Sequence, residues 1–328
     1  MQDPRLEFLN DVSVDGMRVE FSESPIVLLC GGKVHEKERP EDQDLPVASL
    51  RHAITKESSD FDIFRPEEIT DWQEDGVYQN LMDFEEDLSG ICSLVVIVLE
   101  SPGAIAELGA FSQLDDLRHR LMVFTSSLID SEKSFISLGI LRHIKSEKEG
   151  SVRAYPWALP VQDDEGNDLF EVEDAIVKDI IADIGEQINS LPDTQVFKSD
   201  NNSHVIALIY QLLILFIALK RKELHEYLSH FNVDISDEEL KRKLFLLERF
   251  RLIIKGTYSD STYYKVLDDS FHKMRFANTK GRIIDSLRIK AGCSAFYGVN
   301  KDRHRMGFLK RAAEEAKAAT LVEGGDHV

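Results

Sequence analysis

The sequence predicts an α/β fold in two parts: a flavodoxin-like five-stranded parallel sheet, then a mostly α winged helix-turn-helix domain. Three observations predict it. Between residues 25 and 191 five short apolar runs alternate with helix-spaced segments, and hairpin chemistry between them is sparse. A polar stretch at 192–202, rich in Pro, Asp, Ser and Asn, reads as a linker and puts the boundary near residue 200. Beyond it, three helix-like segments lead into two strand-like runs. The expected domains are 1–200 and 201–328.

Taken in order, the opening residues read as a polar leader. Pro25-Ile-Val-Leu-Leu-Cys30 is an apolar run stopped by Gly31-Gly32, the pattern of a buried parallel strand entering a glycine turn where a phosphate or sugar can approach the backbone. Residues 47–54 fit a helix, and Phe61-Asp-Ile-Phe64 a short second strand halted before Pro66. Residues 80–88 read as another helix. Residues 92–99, dense in Val, Ile and Leu, form the clearest strand, ended by Glu100-Ser-Pro-Gly103. Helical spacing resumes over 104–117. Strands four and five are expected at 121–125 and 153–157 around a helical or irregular segment at 135–144, and an amphipathic helix closes this part at 172–191. In such sheets ligands bind outside the carboxyl ends of the strands, where strand order reverses, and both Gly31-Gly32 and 100–107 lie there.

After the linker, 204–219 is almost wholly apolar but, at about 15 residues, short of the roughly 20 that span a bilayer. A buried or interface helix is expected, serving an intramolecular core or a homo-oligomer. Residues 224–231 form a short helix, and Ser236-Asp-Glu-Glu239 is a capping box opening a helix to about residue 250. Residues 251–255 and 262–266 flank Gly256-Thr-Tyr-Ser-Asp-Ser261, a hairpin whose loop is the expected wing. Lys241, Arg242, Lys243, Arg249 and Arg251 lie on or beside the recognition helix of this plan, as contacts for nucleic acid or for a protein.

Charge divides along the same line. The chain carries 39 Lys and Arg against 59 Asp and Glu, a net −20. Residues 1–200 hold 17 basic and 43 acidic side chains, whereas residues 201–328 hold 22 and 16. A net −20 opposes free scanning of duplex DNA, while the basic excess of 240–311 suits an acidic partner, or a solvated face. Three scattered cysteines, Cys30, Cys92 and Cys293, supply neither a disulfide framework nor a Cys-x-x-Cys site, and the histidines form no ligand cluster. No metal and no cofactor are expected. No secretory signal and no membrane span are read, which points to the cytoplasm.

The segment Glu100-Ser-Pro-Gly-Ala-Ile-Ala-Glu107 carries the expected chemistry. It puts one carboxylate at a strand end and a second in what reads as the first turn of the next helix. There, backbone N–H groups keep a carboxylate ionised and able to attack or stabilise an oxocarbenium-like sugar carbon. Glu107 is the expected nucleophile or electrostatic stabiliser. Glu100 would orient a sugar hydroxyl or position water, and Ser101 with the Gly103 turn would hold a hydroxyl or phosphate. Asp62, at a strand end, is a further pocket candidate. The plainer readings are a helix-start acid for Glu107, a solvated turn for Asp62, and core or loop packing for Trp72 and Tyr78 instead of a cover over a base.

Gly31-Gly32 and Glu100-Ser-Pro-Gly-Ala-Ile-Ala-Glu-Leu-Gly109 resemble the nucleoside 2-deoxyribosyltransferase-like proteins. Leu29-Cys-Gly-Gly32, Asp62-Ile-Phe-Arg-Pro-Glu67, residues 100–112 and Lys133-Ser-Phe-Ile136 more closely resemble the toxic effectors encoded beside bacterial retron reverse transcriptases. The likeness covers most of the chain and is specific within the first 140 residues. It implies cleavage of an N-glycosidic bond, with Glu107 matching the catalytic glutamate of a Glu-Leu-Gly motif. It further implies NAD as substrate, hydrolysed to nicotinamide and ADP-ribose, and Gly31, Gly32 and Ser101 lining the ribose and phosphate site. The implied partners are a retron reverse transcriptase and its multicopy single-stranded DNA and RNA, docked by the C-terminal winged helix. Glu100 departs from transferases of free nucleosides, many of which have an aspartate at slightly different spacing, so water, base and nucleoside all stand as acceptors. Two rival readings are a nucleotide-sensing DNA-binding regulator without turnover and a deoxynucleoside base-exchange transferase.

Overall fold

The computed structural model describes residues 2–35, 45–71, 76–128, 134–163, 166, 168–267, 270–279 and 284–323. The chain forms two compact units, Glu23–Pro192, and Met1–Ser22 with Asp193–Val328. It opens with α1 (Pro4–Asp11) and β1 (Val12–Glu20), both in the second of these.

The Glu23–Pro192 unit alternates strand and helix. Its elements are β2 (Ile26–Cys30), α2 (Leu50–Lys56), β3 (Asp62–Phe64), a 3-10 turn at Pro66–Glu68, α3 (Leu81–Ile91), β4 (Leu94–Val98), α4 (Pro102–Phe111) and β5 (Leu121–Ser126). A π-helical turn over Ile136–Leu141 then enters α5 (Arg142–Glu147), followed by β6 (Val152–Tyr155), the small ribbon of β7 (Val161–Gln162) and β8 (Asp168–Leu169), and α6 (Asp174–Asn189). The five strands pair in parallel in the order β3-β2-β4-β5-β6, the flavodoxin-like order expected.

Side-chain alternation explains why β2 and β4 are apolar throughout. Val27, Leu29, Val96, Val98, Met122 and Phe124 pack on one face with Leu50 and Ile54 of α2 and Val177, Ile180 and Ile184 of α6. Leu28, Cys30, Val95, Ile97 and Val123, one residue out of phase, point to the other face and are equally buried. Strand order reverses between β2 and β4, so the crevice for a ligand opens beyond Cys30 and Val98. Local caps start the helices around it: Ser49 accepts from the His52 N–H at α2, Asn80 from the Asp83 N–H at α3, and Ser101 from the Ala104 N–H at α4, with Pro102 at the first helical position.

The second unit continues with β9 (Thr194–Val196), α7 (Asn202–Phe216), α8 (Arg221–Ser229), α9 (Asp237–Arg249), β10 (Ile253–Tyr258), β11 (Ser261–Val266), β12 (Lys273–Asn278), α10 (Ser286–Val299) and α11 (Arg303–Glu323). Two sequence expectations change here. The leader is no loose segment and 192–202 is more than a linker, because β1 is the centre of an antiparallel sheet ordered β12-β1-β9. Gly16, at φ +144 in the irregular middle of β1, adopts a backbone that other residues avoid. The leader therefore folds with the C-terminal residues and not with the 1–200 stretch to which the sequence assigned it.

The apolar α7 is the core of its unit. Every residue from Ser203 to Phe216 is buried, and α8, α10, β11 and β12 pack around it. Among the described residues no helix is long and apolar enough to cross a membrane. The Ser236 capping box forms as expected, the Glu239 N–H donating to the Ser236 hydroxyl at 3.1 Å and the Ser236 N–H to Glu239 at 2.7 Å. The β10–β11 hairpin departs from the expected wing: Tyr258 pairs with Ser261, so the loop shrinks to Ser259-Asp260. One side of the hairpin is covered by α11, with Phe308 stacked on Tyr263 at 5.6 Å and Gly307 beneath the Tyr258 ring.

Candidate active site

The site is assembled at the reversal of strand order, and its two glutamates do different things. Glu100, just past β4, is buried. One carboxylate oxygen accepts the N–H groups of Gly32 at 3.0 Å and Arg51 at 2.9 Å, and the other accepts that of Leu50 at 2.8 Å. Burial pushes its carboxyl up, and these donors oppose that. Glu100 thus clamps the Gly31-Gly32 turn to the start of α2, which leaves it unsuited to the role of orienting a sugar hydroxyl or water.

The glycines and Ser101 belong to the same clamp. A Cβ on Gly32 would lie 2.8 Å from Ser49 Cβ and 2.9 Å from Glu100 Cδ; one on Gly31 would lie 3.0 Å from Arg51 Cβ. The expected phosphate turn is therefore filled by protein on its Cβ side. The Ser101 hydroxyl donates to the Gly31 carbonyl at 3.0 Å while accepting from Ala104. Gly103 is exposed in the first turn of α4, where an added Cβ would meet only the Ser101 hydroxyl oxygen, at 3.8 Å. Gly32→Ala should destabilise the protein by about 1–3 kcal/mol, since the added carbon meets a capped helix start and a buried carboxylate. A urea melt against wild type reads this, and an unchanged midpoint would contradict the clamp.

Glu107 is the group left over. Because α4 begins at Pro102, Glu107 is its sixth residue, in the second turn and not the first, so the helix dipole contributes less to holding its charge than the sequence suggested. Its Oε2 is buried and has no hydrogen-bond partner. Burial pushes its carboxyl up; the Arg51 guanidinium and a hydrogen bond with the Cys30 thiol pull it down, and Glu67 pushes it up again. The Cys30 thiol is driven well above its ordinary value by burial and by Glu107, so it stays protonated as a small core donor.

Arg51, Glu67 and Glu85 complete the cluster, and sequence reasoning gave none of them a role. Arg51 is buried on α2; its Nε donates to the Leu29 carbonyl at 2.9 Å and its two terminal nitrogens to the Glu67 carboxylate at 2.6 Å each. Burial alone would raise Glu67, but Arg51 holds it below the usual carboxylate range. Glu85 of α3 is buried, and burial together with Glu107 and Glu67 pushes it up to about 7. Glu67 ends the quoted Asp62-Ile-Phe-Arg-Pro-Glu67 segment, and strand direction was the available signal: in a parallel sheet its end of the segment lies on the ligand side.

Asp62 lies at the opposite end. It pairs with Ile26 at the start of β2 and is exposed, so it takes the solvated alternative and leaves the pocket set. Tyr78 is buried, donating to Asp87 at 3.2 Å and packing edge-on to Phe84, which is core packing. Trp72 and Lys133 lie outside the described residues. Of the basic set, Lys243 is buried and donates to Asn202 at 2.5 Å, which removes it as a nucleic-acid contact. Arg249 stacks over Phe245 at 4.5 Å, Lys241 and Arg242 are half-buried, and Arg251 is exposed just beyond α9.

Two proteins of Escherichia coli resemble this chain. The "Retron Ec73 putative ribosyltransferase/DNA-binding protein" is 27% identical over 215 residues, which is 62% of this chain and 65% of its own length. The "Retron Ec86 putative ribosyltransferase/DNA-binding protein" is 32% identical over 130 residues, 38% of this chain and 39% of its own length. The chain thus spans less than two thirds of the relatives it matches. A family described as "STM3845 retron effector protein" matches residues 47–255, a stretch that holds Arg51, Glu67, Glu85, Glu100 and Glu107 and most of the α8–α9–β10 segment. More than half of the chain is covered by that match, and the chain belongs to this retron effector family.

Proposed function

We propose that the Glu23–Pro192 unit is an N-glycoside hydrolase that cleaves NAD to nicotinamide and ADP-ribose, as the toxic arm of a retron anti-phage defence system. The observation that carries this reading is the half-buried Glu107, whose Oε2 is shielded and unpartnered, at the point of the sheet where ligands bind. Family membership and the ribosyltransferase wording attached to both relatives support it.

The chemistry asks little of the protein. The bond between ribose C1′ and the pyridinium nitrogen breaks with its electron pair going to nitrogen, so nicotinamide leaves neutral and needs no proton. Glu107 stabilises the positive charge that develops at C1′, and water adds there, losing a proton, to give ADP-ribose. The open first turn of α4 at Gly103 is where a ribose or phosphate oxygen would approach. The second unit is proposed to dock the effector to a retron reverse transcriptase and its multicopy single-stranded DNA and RNA, through Arg251 and the accessible parts of Lys241, Arg242 and Arg249.

Incubating the purified chain with NAD and following nicotinamide release tests the reading. Stoichiometric nicotinamide and ADP-ribose support it. Base exchange between deoxynucleosides with NAD untouched would replace hydrolysis by transfer, and salt-sensitive DNA binding with no turnover of any nucleoside or dinucleotide would favour a regulator.

A further inference from the structure

The outer face of the β12-β1-β9 sheet carries cations from three distant parts of the chain. In β1, Met17 and Val19 are buried and Arg18 between them is exposed; in β12, Met274 is buried between the exposed Lys273 and Arg275. Register sets Arg18 directly opposite Arg275, and Glu20 opposite Lys273. On its other side Arg18 faces the exposed Val196 of β9. The Phe197 N–H donates to the Met17 carbonyl at 2.9 Å, which carries the pairing one residue past β9 and returns the exposed Lys198 to the Val196 side.

Like charges directly opposite one another destabilise a sheet, and the one acid on this face does not relieve the pair. Glu20 forms its ion pair with Arg275, diagonally across the strands. Among the described residues, the side chains of Arg18, Lys198 and Lys273 enter no hydrogen bond or ion pair. Beyond the arginines the surface is low, since a Cβ on Gly16 would lie 3.0 Å from that of Ala277. We propose that this face binds the phosphate backbone of single-stranded nucleic acid, with Arg18 and Arg275 as a paired clamp and Lys273 and Lys198 at the two ends of the track.

The layout of the charges selects this occupant. Lys273, Arg275, Arg18 and Lys198 lie in that order on a diagonal across three strands, and strand rise and spacing put its ends about 17 Å apart. A line of cations suits a linear polyanion. An acidic protein would need an aromatic or large apolar anchor at the centre of the contact, where this face offers Val196 alone. The positions around the track are strand residues, so the contact is with one backbone and not with a groove, and it reads no base sequence. Neither NAD cleavage at Glu107 nor docking through α9 enters the inference.

The experiment follows the fluorescence anisotropy of labelled oligothymidylate titrated with the full chain, at salt concentrations from about 50 to 200 mM. Wild type is compared with Arg18→Gln, Lys198→Gln, the two combined, Arg18→Lys, and Arg251→Gln on the other surface. At about 0.1 M salt, Arg18→Gln and Lys198→Gln should each weaken binding roughly fivefold and lower the slope of log Kd against log salt by about 0.7, and the two losses should add. Arg18→Lys should keep the wild-type slope. Arg18→Gln should melt no lower than wild type, because it removes the opposition of like charges, so its weaker binding is not a loss of folded protein. Wild-type affinity and slope in both Gln variants would overturn the inference, and a loss confined to Arg251→Gln would do so while leaving the α9 surface in place. Absence of binding by wild type, tighter binding of a duplex of the same length, or displacement of the oligonucleotide by polyglutamate at equal charge would also overturn it. Nicotinamide release is measured separately and decides the functional reading whichever way the binding falls.

Discussion

Glu107→Gln should lower kcat for NAD by roughly 10³-fold or more and, at the same time, make the folded protein more stable above neutral pH. The two effects share one cause. Amide for carboxylate keeps the shape of the side chain but removes the negative charge that would stand under C1′, so the oxocarbenium-like transition state loses its counter-charge. In the free protein that same charge is a liability, because the side chain is half-buried and its Oε2 is shielded with no partner. The sign follows from the raised carboxyl. Below the ordinary carboxylate range both folded and unfolded chains hold the proton, and as pH rises toward the raised folded value the unfolded chain releases it first, so stability is lost. Gln carries no such proton, and its advantage should be absent below the ordinary carboxylate range and grow as pH rises above it. Nicotinamide release together with melts at pH 5 and pH 8 checks both arms. An inactive variant that is also less stable at pH 8 would mean that Glu107 is structural; a fully active one would remove it from the chemistry.

Sequence reasoning succeeded with the sheet that frames Glu107. The parallel sheet was legible because its inner strands β2, β4 and β5 are buried on both faces, which leaves continuous apolar runs such as residues 94–98, and alternation with helices then restricts how they can be ordered. The small antiparallel sheet was not legible. β1 pairs with β12 across more than 250 residues, and its sequence includes Asp15, Gly16 and Arg18, so nothing local reports the partner. The site shows the same limit. Glu107 could be picked from its place after a strand, whereas its second-turn position depends on where Ser101 and Pro102 start the helix. Glu85 lies in an ordinary helical stretch, and only the fold brings its carboxyl into the field of Glu107.

Glu100 is the sharper case, and the largest stability change expected is there. Glu100→Ala should destabilise the folded state by about 3–5 kcal/mol, because it strips the acceptor from three backbone N–H groups at once and leaves them with a cavity. Those donors belong to Gly32, Leu50 and Arg51, so the loss also frees the start of α2, and with it the guanidinium that holds Glu67. Glu100→Gln should fall between, since its amide keeps one acceptor oxygen but turns an N–H₂ group toward a backbone donor. A catalytic Glu100 would behave in the opposite way, with Glu100→Gln folding at full stability and losing turnover. Urea midpoints for the two variants, with nicotinamide release normalised to the folded fraction at low temperature, separate the cases. If Glu107 carries the proposed chemistry, residual turnover per folded molecule in Glu100→Gln well above that of Glu107→Gln is the expected result, because Glu100 ties Gly32 to the start of α2 through backbone N–H groups and makes no demand on the substrate.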